Sequence, residues 1–77
     1  MSMCADLEDD FVNGLSMIGD SIEVFNALYD LWSSATQNWD DDFRAESLRD
    51  ISKRVSLFHA NMINSKLDKY GEFGYLD

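Results

Sequence analysis

Proline is absent from the 77 residues, and glycine occurs only four times. These two residues are the strongest local breakers of regular structure, so long helices meet little opposition along this chain. The one cysteine, Cys4, and the one histidine, His59, are far apart. That excludes an internal disulfide framework and a zinc site of clustered Cys and His, and no metal or cofactor is expected. The N-terminus Met1-Ser2-Met3-Cys4-Ala5-Asp6 lacks the basic and apolar regions of a signal peptide, and no uninterrupted apolar run reaches the length of a membrane span. The chain is therefore expected to be cytoplasmic and to have no membrane contact.

Bases are missing from residues 1–43, which carry ten acids; residues 44–77 hold all six Lys and Arg beside five acids, for a net charge of −9. A chain so acidic repels phosphate, so direct nucleic-acid binding is not expected. The apolar content of 45% and aromatic content of 13% are too high for a disordered acidic tail. The acidic half and the mildly basic half suit two antiparallel arms, with Asp20, Glu23 and Asp30 set against Arg49, Lys53 and Arg54.

From Phe11, the series Leu15, Ile18, Ile22, Phe25, Tyr29 and Trp32 advances by steps of four and three, the period of an amphipathic helix. A second stripe, Met17, Val24, Leu28, Leu31 and Ala35, lies one residue, about 100°, around the axis. The apolar arc is thus wider than one neighbouring helix covers. Gly14 and Gly19 each cost about 1 kcal/mol in a helix interior. Asn13-Gly14 can end a helix and Asp20-Ser21-Ile22-Glu23 has capping-box spacing. A helix at 5–13 followed by one at 20–35 therefore competes with one kinked helix. After a connector at 36–40, Asp40 or Asp41 can cap a second arm over 41–70, in which Leu48, Ile51, Val55, Phe58 and Met62 step by three and four while Ile63, Leu67 and Tyr70 sit on a shifted face. Gly71 ends it, and 71–77 form an aromatic tail.

The expected fold is all-α: one domain over 1–77, an antiparallel hairpin of two long helices, the first broken near Gly14–Gly19 in one alternative. Arms of 30 residues would be roughly 45 Å long. Two helices cannot enclose a core, and a chain this short buries a limited share of its surface. Assembly into an oligomeric helical bundle is expected, with Phe11, Leu15, Ile18, Ile22, Phe25, Leu28 and Trp32 as the self-association residues.

Tests for chemistry are mostly negative. Aligning Asp40 and Asp42 with a calcium loop puts Arg44 at a ligand position and Ala45 where the loop needs glycine. Ser56 and His59 share a helix face three apart, but no oxyanion-hole motif accompanies them, and His59 beside Phe58 and Met62 reads as a packed side chain. Phosphate-binding glycine loops and the GxSxG motif are absent. No enzymatic activity is expected.

Size, acidity and helical plan resemble the small inhibitor and regulator proteins of phages and mobile elements, a resemblance of class that rests on no diagnostic motif. It implies action by binding. The expectation is a non-enzymatic inhibitor or adaptor that binds itself and a protein partner with a basic surface, through Asp9, Asp10, Asp20, Glu23 and Asp30 of the first arm and Phe73 and Tyr75 of the tail. The alternative is an oligomeric binder of a small anion such as a nucleotide, held by Arg49, Lys53 and Arg54.

Overall fold

The structure is a computed structural model that describes residues 3–68, with side chains from Asp6 onward. Four helices follow in order: α1 Met3–Leu15, α2 Ile22–Ala35, α3 Asp41–Ser52 and α4 Leu57–Leu67. The all-α expectation holds, but the hairpin of two long helices does not: each expected arm is two helices. The longest dimension is 34 Å, shorter than a single 30-residue arm.

The first break spans Ser16 to Ser21. Gly19 adopts φ +61°, a left-handed conformation that costs an ordinary L-residue about 1–2 kcal/mol and glycine almost nothing. Ser21 then caps α2, its side chain accepting the Val24 N–H at 3.2 Å. The cap is one residue later than the Asp20 capping box implies. α1 runs through Asn13-Gly14 to Leu15, because Gly14 lies against α2: a Cβ there would stand 3.1 Å from Leu28 Cδ1.

The second break, at 53–56, is unmarked by glycine or proline. Its signal is Ser56, which accepts the His59 N–H at 3.3 Å and caps α4. The Leu48–Ile51–Val55–Phe58–Met62 series continues across the break with unchanged spacing, so periodicity alone conceals it. The shifted face foreseen from Ile63 and Leu67 is α4's own buried stripe, His59, Ile63 and Leu67 at intervals of four. Between α2 and α3, Thr36 is fully buried and donates its hydroxyl to Trp32 O at 2.9 Å, while Asp40 Oδ2 accepts the Asp42 N–H at 3.2 Å.

With four elements, the chain encloses its own core. Phe11 of α1 meets Phe25, Tyr29 and Trp32 of α2 at ring separations of 6.2, 6.5 and 6.1 Å. Leu15, then Ala45, Leu48 and Ile51 of α3 and Ile63 and Leu67 of α4, complete the buried cluster. The residues assigned to self-association divide accordingly. Phe11, Leu15, Phe25 and Trp32 are buried within the single chain, Ile18 and Leu28 are half-buried, and Ile22 is exposed. α3 and α4 cover the core that two helices alone would leave open.

Candidate functional site

The second stripe of α2 is largely outside the core: Leu31 is 67% exposed, Val24 and Ala35 are exposed, and Leu28 is half-buried against the core. Beside them, Leu7, Asp10 and Phe11 of α1 and Leu28, Leu31, Trp32 and Ala35 of α2 line an open groove of about 260 Å³. It is predominantly apolar, and the buried Trp32 indole N–H has no acceptor among the described residues.

Helix geometry sorts the acids around this groove. Asp10 stands in its wall and Asp6 one turn before it on α1, while Asp30 lies about 100° around α2 from Leu31, on the side away from Leu28 and Trp32, with Glu23 two turns earlier on that side. All four are exposed. Glu8 and Asp9 turn elsewhere: Glu8 Oε2 accepts the Ser47 hydroxyl at 2.6 Å, and Asp9 Oδ1 accepts Arg54 Nη2 at 2.9 Å. Asp20 lines a second cavity instead. Of the acids expected on a partner-facing surface, then, Asp10 lines the groove, while Asp9, Asp20, Glu23 and Asp30 do not. Asp6, four residues before Asp10, shares its side of α1. Phe73 and Tyr75 lie outside the described residues.

Two basic side chains lie against α2. Arg44 Nη2 donates to Ser33 Oγ at 2.8 Å, and its guanidinium lies 5.5 Å from the Trp32 ring centroid. Lys66 Nζ sits 5.0 Å from the Tyr29 ring centroid. In the alternative anion site, Arg54 is occupied by Asp9, Arg49 is half-buried and Lys53 is exposed at the end of α3. For Arg54, the cross-arm attraction foreseen with Asp20, Glu23 and Asp30 runs to Asp9.

The second cavity, about 300 Å³, includes Ser56, His59 and Gly19 in its lining. His59 is 4% exposed and stacks on Phe25 with ring centroids 6.1 Å apart. Its Nε2 lies 2.7 Å from the Gly19 carbonyl oxygen, which only accepts, so Nε2 carries the proton. Nδ1 lies 3.1 Å from Ser56 Oγ. Capping and packing account for both side chains: the pair ties the start of α4 to the α1–α2 turn.

Among the described residues, no group of three or more His, Cys, Asp or Glu could hold a metal ion, and no helix is long and apolar enough to cross a membrane. No protein-family model, curated protein or solved structure matches the chain.

Proposed function

We propose that this chain is a small non-enzymatic binding protein that acts as an inhibitor or adaptor of a protein partner, through the outer face of α1 and α2. The observation that carries this reading is an apolar strip on α2, with Leu31 67% exposed, beside a groove that Asp10 lines, in a stretch of 43 residues without a base. Exposed apolar surface rimmed by polar groups marks interaction sites. Acids of one sign around it steer a basic partner and reject acidic ones. Self-association is a weaker reading on the same face, since pairing two copies through it would bring like charges together.

The test compares the full chain with a variant carrying Asp6→Asn, Asp10→Asn, Glu23→Gln and Asp30→Asn, both immobilised and exposed to lysate of the source cell across a salt series. A protein retained by the native chain, released by salt and absent from the variant supports the proposal. Identical retention by both chains at every salt concentration rejects it.

A further inference from the structure

We infer that the groove between α1 and α2 receives one amphipathic helix of a partner protein, with an apolar ridge flanked by Lys or Arg and one large apolar side chain seated against Leu28, Leu31 and Trp32. This rests on the binding function proposed above and names the chemistry of the partner.

Three observations select that occupant. The first is shape: α1 and α2 run back along each other, Gly14 beside Leu28 and Leu7 sharing the groove with Ala35. The groove they leave is parallel to both helices, the arrangement in which an amphipathic helix docks through positions i, i+3 or i+4, and i+7. Leu28 to Ala35, the stretch of α2 that lines it, spans seven residue steps, about 10 Å of helix, which matches two turns of a docked helix. The second is depth. The space of about 260 Å³ is floored by Phe11 and Trp32, both buried, so it takes one bulky side chain rather than a flat surface. The third is charge: Asp10 stands in the groove wall with Asp6 one turn before it on α1, and neither helix carries a base. A helix whose apolar ridge is flanked by bases meets these acids, and a second copy of this chain, offering acids there, meets repulsion.

The probe is a synthetic 18-residue helix with a leucine ridge, a central phenylalanine and lysine flanks. Two controls accompany it: the same peptide with glutamate flanks, and the lysine peptide with alanine at the centre. Each is titrated into the full-length chain and followed by backbone amide NMR. The expected result is binding of the lysine peptide, with shifts concentrated on Leu7, Leu28, Leu31 and Ala35. Affinity should fall about tenfold or more for the glutamate and alanine controls and for the chain carrying Leu31→Asp. Because Leu31 is exposed, that variant should retain its helical circular dichroism; Ala35→Leu, which fills the groove from its wall, should weaken binding in the same way.

Equal affinity for the lysine and glutamate peptides overturns the inference, as do shifts centred away from the groove. It is equally overturned if light scattering shows a dimer that Leu31→Asp dissociates, since a second copy would then be the occupant. Tighter peptide binding by Phe73→Ala/Tyr75→Ala assigns the groove to the chain's own C-terminal residues, with the same consequence. If the peptide fails while the lysate partner is still lost on neutralising the acids, the helix-in-groove inference is wrong and the binding function stands. If both fail, both are wrong.

Discussion

Gly14 and Leu28 are in register across the α1–α2 contact, so near that a Cβ on Gly14 would lie 3.1 Å from Leu28 Cδ1. Two effects oppose each other there. Replacing glycine by alanine inside a helix gains about 1 kcal/mol, less near the helix end, and the crowding returns some of it. The close atom is the tip of a half-buried side chain beside an open groove, so it can turn away. Gly14→Ala should therefore change stability by less than about 0.5 kcal/mol alone, and stabilise by roughly 0.5–1 kcal/mol where Leu28→Ala has removed the obstacle. Urea unfolding of the four chains of this cycle checks it; equal effects in both backgrounds would mean that the contact is not felt.

The Ser56–His59–Gly19 relay joins the α4 cap to the α1–α2 turn, and its parts should separate on mutation. Ser56→Ala removes the cap, at a cost of about 1 kcal/mol. His59→Phe keeps a ring on Phe25 but loses the bond to the Gly19 carbonyl, at about 1–2 kcal/mol. In the His59→Phe background Ser56→Ala should cost less than it does alone, since one of the two contacts of that hydroxyl is already gone. Denaturation midpoints measure the coupling, and long-range nitrogen–proton NMR should find the imidazole proton on Nε2. A proton on Nδ1 alone would contradict the assigned bond.

What the sequence made legible, and what it hid, follows from the range of each signal. Asp40 marks a helix start, and the capping box at Asp20 falls one residue from the true cap of α2, because a cap acts over two or three residues of backbone. The Phe11–Trp32 stripe is readable because it repeats. The break at 53–56 was hidden because Val55 and Phe58 keep the spacing that Ile51 began, and both are half-buried after the chain turns. The sorting of acids was hidden for another reason. Asp9 and Asp10 are adjacent in sequence, yet one faces Arg54 and the other the groove, and that division depends on where α3 and the 53–56 turn lie. Helix period alone supplies no such neighbour.

Asp9 and Arg54 form an ion pair of 2.9 Å whose side chains are 53% and 45% exposed. Water and salt screen such a pair, and holding two long side chains together costs entropy, so its expected worth is about 0–1 kcal/mol. Arg54→Gln should lower stability by less than about 1 kcal/mol at low salt, and the difference should shrink towards zero near 1 M sodium chloride, where screening acts over about 3 Å. Thermal unfolding at two salt concentrations tests this. A loss of several kcal/mol, or one insensitive to salt, would show that Arg54 holds the turn by some means other than its charge.

The two stripes of α2 should answer mutation in opposite ways. Phe25 is fully buried against Phe11, Tyr29 and His59. Phe25→Ala deletes a ring from the core at a cost of about 3–5 kcal/mol, a large part of what a domain this short can hold in reserve. Loss of cooperative unfolding is the expected outcome, and any binding defect would follow from it. Leu31, two turns further along and 67% exposed, gives up little transfer free energy on replacement, so Leu31→Ser should leave the unfolding midpoint within about 0.5 kcal/mol of the native chain. Its effect belongs to the partner complex, where the same side chain becomes buried. Circular dichroism melts set beside lysate capture separate the two roles: a stable Leu31→Ser chain that keeps its full affinity would show that the exposed stripe has no part in binding.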